Sequence, residues 1–349
     1  MVETPPHMRL MRDSLPADLD RTAADHRRIV ALWLLAVAAM VAAMVSLGGL
    51  TRLTGSGLSM AQWNPHHLLP PLSHAEWMEA FEQYRRTPEF RLVNPDMDLA
   101  GYRGIFWLEY LHRLWGRLIG LAFAAPLAVF VWRRMVPAGW LPRLLGLFAL
   151  GGLQGGLGWL MVASGLVERP EVSHFRLAAH LILALAILAA LIIAACALLD
   201  VPRRRHPLAL AVVAGLAMLA LATMAWGALV AGLDAGRIYN TFPLMGGAPW
   251  PHEARPQLVN ALELPGAVIY YHSGVVISPL AGLTVLAVWA WLARGPLPLL
   301  LAGGWAWVQA GLGIATLLEA APLGLAALHQ GGAVVLLALL SWALASLRR

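Results

Sequence analysis

Eight apolar runs of about twenty residues or more recur along this chain, and a bilayer core takes about twenty such residues as one helix. The runs cover roughly 29–48, 105–131, 140–163, 174–199, 208–231, 264–292, 297–318 and 322–346. Backbone N–H and C=O groups in lipid must be satisfied within a helix or a closed barrel, and runs this long fit helices. Of the 349 residues, 59% are hydrophobic and only 13% charged. That balance excludes a water-soluble domain and a disordered chain. The expected fold is an all-α polytopic membrane protein with eight transmembrane helices. Gly303 and Gly304 predict an interruption of the seventh run.

All 25 basic residues are arginine, and their placement sets the orientation. Arg9, Arg12, Arg21, Arg27, Arg28, Arg133, Arg134, Arg143, Arg203, Arg204, Arg205, Arg294, Arg348 and Arg349 fall on one side. The other side has fewer arginines, diluted by acids. Both termini are therefore expected in the cytoplasm, and topology accounts for the basic clusters without nucleic acid. The tail 1–28 holds Asp13, Asp18, Asp20 and Asp25, unlike an acid-poor transit peptide. A bacterial inner membrane is the expected location. The single cysteine, Cys196, excludes an internal disulfide or a cysteine metal cluster and reads as a small buried hydrophobe.

The chain reads as duplicated. Gln154-Gly-Gly-Leu-Gly158 recurs as Gln309-Ala-Gly-Leu-Gly313, and long outward loops at 49–104 and 232–263 follow the first and fifth runs. The expected organisation is a tail (1–28) and two pseudo-symmetric four-helix bundles, 29–200 and 201–349. Within the first loop, Ser73 and Glu76 have capping-box spacing, followed by Trp77, Ala80, Phe81 and Tyr84. That predicts a short amphipathic helix on the outer surface.

Histidines carry the chemistry. His7, His26, His66, His67, His74, His206 and His252 lie in tails or loops, and His174 stands at the mouth of the fourth run, where surface placement is expected. His112, His180, His272 and His329 instead sit one on each even-numbered run. All lie about 10 Å below the outer surface at 1.5 Å per residue. Ionisable groups at that depth are costly and mark function. Haem supplies four ligands and needs only axial imidazoles, which two helices of a bundle can present from opposite sides. The expected sites are two bis-histidine haem centres, His112 with His180 and His272 with His329. Arg52, Arg113 and Arg117 are candidate contacts for haem propionates. Glu109 shares a helix face with His112 and is a candidate for proton relay or cation stabilisation.

These residues resemble the heme A synthase family in its α-proteobacterial and mitochondrial form. The matching strings are Gly48-Gly-Leu-Thr-Arg-Leu-Thr-Gly-Ser-Gly-Leu-Ser59, Leu69-Pro-Pro-Leu-Ser73, Tyr84-Arg-Arg-Thr-Pro-Glu-Phe90, Glu109-Tyr-Leu-His-Arg113, Val172 to His180, Asp234-Ala-Gly236, Tyr239 to Met245 and Leu328-His-Gln330. They span about residues 30 to 345.

The resemblance implies an oxidoreductase that converts the C8 methyl of haem O to the formyl of haem A for cytochrome oxidase assembly. It assigns the substrate haem to His112 and His180, a haem b cofactor to His272 and His329, and catalysis to Glu109. Haem O synthase and a ferredoxin-type electron donor are the partners it implies, beside membrane lipid. Two departures stand out: Ser273 replaces the arginine that follows the family's third histidine, and the run Asn260-Ala-Leu-Glu-Leu264 is altered. The cysteine pairs of the other bacterial branch are absent. A diheme b-type cytochrome that only relays electrons accounts for the four histidines but leaves Glu109 without a role. A transporter with histidine-lined transit sites is a third reading.

Overall fold

The computed structural model describes residues 17–62, 69–166, 170–199, 201, 206–253 and 259–347 (of 17–20 the backbone alone). Arg9, Arg12, Arg203, Arg204, Arg205, Arg348 and Arg349, on which the orientation leans, lie outside them, as do Asp13, His7, His66 and His67. The described chain is helical, and eight helices are long and apolar enough to cross a membrane. It is a multi-pass membrane protein.

The first spanning helix, α1 (Ala17–Leu53), begins well before the apolar run, so its first turns belong to what the sequence marks as tail. At 1.5 Å per residue it is longer than a bilayer core is thick, and its polar start projects beyond the core. Two short helices follow in the first long loop, α2 (His74–Arg85) and α3 (Pro88–Leu92). The expected capping box is present: Ser73 Oγ accepts from Glu76 N at 3.2 Å, while the Glu76 carboxylate accepts from Ser73 N.

Next come α4 (Leu99–Trp132), α5 (Leu141–Ala163), α6 (His174–Leu198) and α7 (Pro207–Gly232). The helix α4 starts inside the loop expected at 49–104, because Asp98 caps it by accepting from Gly101 N at 2.8 Å. A single turn, α8 (Asn260–Glu263), precedes α9 (Pro265–Val275) and α10 (Ile277–Leu292). These last two are one apolar run broken at Val276. Pro279 lacks the N–H that would bond the Val275 carbonyl, and its ring crowds that carbonyl. The chain ends with α11 (Leu297–Leu318) and α12 (Leu323–Leu347).

The interruption expected at Gly303 and Gly304 is absent; α11 runs through both. Their use is close packing. A Cβ on Gly303 would meet the Leu283 carbonyl at 2.9 Å, so only glycine lets α10 and α11 approach this closely.

The helices α1, α6, α7 and α12 pack on one another at the centre, while α4, α5, α10 and α11 lie outside them. One core joins Leu34, Phe123, Leu188, Leu191 and Leu337; a second joins Val213, Leu283, Leu299 and Leu340. Polar ties cross between the halves. Gln330 Nε2 donates to the Val45 carbonyl at 2.7 Å, and Arg52 Nη2 donates to the Gly232 carbonyl at 3.3 Å.

Helix α2 is the amphipathic helix expected from its pattern, and its apolar face is taken up by a neighbouring helix. Trp77, Phe81 and Tyr84 pack on the N-terminal end of α4 against Tyr102, Phe106 and Tyr110. Trp77 meets Phe106 edge-on at 4.9 Å, and Tyr84 stacks on Tyr102 at 5.2 Å. Such pairs add about 0.5–1.5 kcal/mol each beyond burial, so the outer segment is a folded cap over the first half.

Candidate functional site

His112 stands on α4, His180 on α6, His272 on α9 and His329 on α12. All four are partly buried, covered by neighbours without being sealed. The structure brings them together in the two expected pairs: His112 lies within electrostatic reach of His180, and His272 of His329. His180 and His329 come from central helices, His112 from the peripheral α4 and His272 from α9, which packs on α7.

Each ring rests on a glycine of the preceding odd-numbered span. A Cβ at Gly48 would lie 3.1 Å from His112 Nε2, and one at Gly158 2.9 Å from His180 Cε1. The corresponding distances are 3.2 Å from Gly227 to His272 Cε1 and 2.8 Å from Gly313 to His329 Cε1. Ordinary carbon contacts are about 3.5–4.0 Å. A methyl in any of these places would push its ring away, so all four imidazoles are seated against bare backbone.

Partners on the rings repeat as well. Gln154 Nε2 donates to the His180 carbonyl at 3.0 Å and lies 3.1 Å from His180 Nδ1. Gln309 Nε2 donates to the His329 carbonyl at 2.8 Å and lies 3.1 Å from His329 Nδ1. His272 Nδ1 lies 3.1 Å from the Thr223 carbonyl. A proton on that Nδ1 is bonded there and leaves Nε2 as the free base, the arrangement a metal-bound imidazole adopts. The two glutamines head the recurring segments of the sequence; the recurrence was legible, their partners were not.

Among the described residues no group of three or more His, Cys, Asp or Glu side chains is placed to hold a metal ion. Two imidazoles alone make a poor site for a bare transition metal. They suit a metal that arrives with its own in-plane ligands, and the glycine seats leave the rings at fixed height. The donor set fits haem.

Beside the first pair, Glu109 is almost fully buried and densely partnered. Its Oε2 accepts from Ser59 Oγ and Met60 N, both at 2.7 Å, and its Oε1 forms an ion pair with Arg113 one turn on. Arg113 also donates to the Met60 carbonyl at 2.8 Å and the Gln62 carbonyl at 3.0 Å. Its guanidinium therefore clamps the 59–62 segment over the site. Arg117 follows one turn further along α4. Arg52, expected near a propionate, pairs with Asp234 at 3.0 Å across the two halves. Ser273, where the resembling family has arginine, follows His272 on α9.

Two placements were not foreseen. His174 is wedged at the end of α7, where a Cβ on Gly232 would meet its Cβ at 2.6 Å, and its buried Nε2 lacks a partner among the described residues. Glu89, part of the Tyr84–Phe90 string, is buried on α3, and its Oε2 also lacks a hydrogen-bond partner there. A lone glutamate between proline and phenylalanine gave a weak signal; burial cannot be read without the cap's fold.

Residues 31–341 match the cytochrome oxidase assembly protein family COX15-CtaA. A heme A synthase of Rhodospirillum centenum is 47% identical over 95% of this chain and 92% of its own length. Those of Paramagnetospirillum magneticum and Paracoccus denitrificans are 46% and 44% identical, over 92% and 90% of this chain and 94% and 86% of their own lengths. With a family match along nearly the whole sequence and relatives at 44–47% identity, the chain belongs to the COX15-CtaA family of cytochrome oxidase assembly proteins.

Proposed function

We propose that this protein is a heme A synthase, oxidising the C8 methyl of haem O to the formyl group of haem A for cytochrome oxidase assembly. The observation that carries the reading is the pairing of a two-imidazole site with a buried, clamped carboxylate: His112 and His180 beside Glu109. An electron-relaying cytochrome needs the imidazoles but has no use for Glu109.

His112 and His180 hold the substrate haem, which enters with its own iron. His272 and His329 hold haem b, which when bound supplies one-electron redox chemistry to the second half. The hydrogen bond from His272 Nδ1 to Thr223 O, with its proton so placed, orients that ring and leaves Nε2 for iron. Glu109 sits three residues before His112, so a substrate on that imidazole has its edge near the carboxylate. There Glu109 stabilises positive charge developing at the reacting carbon. Arg113, Ser59 and the Met60 amide fix its orientation before substrate arrives, so no reorganisation is needed at that moment. The cap over α4 keeps bulk water from the site. Arg117 and Arg52, both from the first half, would meet propionates.

The protein works in the bacterial inner membrane with both termini in the cytoplasm. Haem O synthase supplies the substrate, and a ferredoxin-type protein exchanges electrons with it. Extraction of pigment from purified protein tests the reading. Haem B together with haem O or haem A is expected, with His112→Ala losing the substrate haem and His272→Ala losing haem B. A preparation that holds haem B alone and leaves haem O unconverted would support the relay cytochrome instead.

A further inference from the structure

Two buried carboxyl groups lie within electrostatic reach of each other, Glu109 beside the first site and Glu89 in the cap above α4, and their surroundings differ in kind. Glu109 has a guanidinium, a hydroxyl and a backbone N–H as partners. Glu89 has no guanidinium or backbone N–H on its carboxyl among the described residues, and the one hydroxyl that bears on it is that of Tyr84. It is 7% exposed, its Oε2 has no hydrogen-bond partner among the described residues, and the Tyr84 hydroxyl is the polar group beside it. Tyr84 is held in turn by Asn94 Nδ2, which donates to its hydroxyl at 2.9 Å. A buried carboxylate without a counter-ion is costly, and such a group keeps its proton instead.

Contacts link the two acids. Tyr84 stacks on Tyr102 at 5.2 Å, the Tyr102 hydroxyl donates to the Ser59 carbonyl at 3.3 Å, and Ser59 Oγ donates to Glu109. The groups whose fields reach Glu89 are Tyr84 from α2, Glu109 from α4 and Arg52 from the end of α1. Burial pushes its carboxyl up to about 7, the Tyr84 hydroxyl opposes that rise, the Glu109 charge adds to it, and Arg52 opposes it. An acid poised there changes protonation at ordinary pH, and two carboxyls pushed apart by environment divide acid and charge roles between them.

We propose that Glu89 is the proton-exchanging acid of the substrate-haem site, passing protons between that site and the outer aqueous side, while Glu109 provides the fixed charge. In each exchange the O–H bond of the Glu89 carboxyl breaks as its proton leaves and forms again as another arrives. The group ends unchanged, and no electron passes through it. This rests on the haem-methyl oxidation above, which must move protons because C–H bonds of the methyl are broken.

The test uses the full-length protein purified with its haems, as wild type, Glu89→Gln, Glu109→Gln and Tyr84→Phe. In an infrared pH titration of the resting protein, a carboxylic-acid signal that fades around pH 7 is expected in wild type, one that fades at lower pH in Glu109→Gln, where the charge that raises Glu89 is gone, and none in Glu89→Gln. In turnover of haem O, Glu89→Gln is expected to lose at least about tenfold in rate at pH 7 and to lose the limb of the pH profile near 7. Tyr84→Phe removes the hydroxyl that lowers Glu89, so both the infrared titration and the limb move to higher pH. That shift decides the matter even if Glu89→Gln fails to fold. A Glu89→Gln protein with full haem content, wild-type rate and unchanged pH profile overturns the proposal, as does an infrared signal that persists in it. If wild type itself leaves haem O unconverted, the parent reading has failed, and the infrared titration still reports whether Glu89 holds the proton.

Discussion

Replacing Gly158 with alanine tests whether the imidazoles are seated for a planar ligand. The new Cβ would stand 2.9 Å from His180 Cε1, where carbon atoms prefer about 3.5 Å, so ring or helix must yield by about 0.6 Å. The His180 ring is flanked by Gln154, while α5 is peripheral and has Leu144 as its buried residue. Outward movement of α5 is therefore the easier response, and it draws Gln154 from the ring. Overpacking of this kind costs about 1–3 kcal/mol. Alanine returns about 1 kcal/mol of helix propensity over glycine. The net loss of up to about 2 kcal/mol corresponds to roughly thirtyfold in the binding constant at the first site. Gly155→Ala is the control, since its Cβ would meet nothing within 4 Å on the same helix. The assay is haem per protein by absorbance and the low-spin spectrum of each variant in detergent. Gly158→Ala is expected to lose or broaden the first-site signal while Gly155→Ala keeps it. Indistinguishable spectra and haem content in the two variants would refute the seating argument.

Other expectations follow from single contacts. Glu109→Gln leaves the Arg113 cation without its buried counter-charge, a loss of about 3–5 kcal/mol where a buried pair is broken, and product formation is expected to stop while His112 and His180 still bind substrate; pigment analysis reads both. Glu89 has a folded value of about 7 against 4.5 unfolded, so the stability it contributes is full below 4.5 and lost as pH rises through 7. Thermal unfolding of wild type should weaken across that interval, and Glu89→Gln should flatten the slope. Asp234→Ala breaks an ion pair whose acid is 51% exposed and is expected to cost under about 1 kcal/mol, whereas Arg52→Ala also loses the bond to Gly232 and costs more by the same melting assay. Trp77→Ala removes the centre of the aromatic cap, at about 3–5 kcal/mol, and limited proteolysis should cut between α2 and α4 first.

The eight spans were legible because bilayer thickness leaves a length and a composition in the sequence that no soluble core requires. Their ends were less so. The polar first turns of α1 carry no apolar signal, and α4 starts early because Asp98 caps it, a local event outside the apolar run. The break at Val276 had a signal in Pro279, while Gly303 was misread: a glycine in a lipid-bound helix marks a close neighbour as readily as an interruption. At the site, the four histidines and Glu109 were legible because ionisable groups inside apolar runs are rare. The glycine under each ring, the two glutamines and Glu89 acquire meaning only from residues distant in sequence, which pattern alone does not pair.

The Gln330 amide, bonded to the Val45 carbonyl 285 positions away, has a bearing on how the chain can be divided. Severed in the connection ahead of α7, the chain would yield two fragments, the second with its Gln330 amide unserved and the first with the Arg52 guanidinium parted from the Gly232 carbonyl. Expressed together the two pieces are expected to restore pigment to the membrane; expressed singly, each is expected to be degraded.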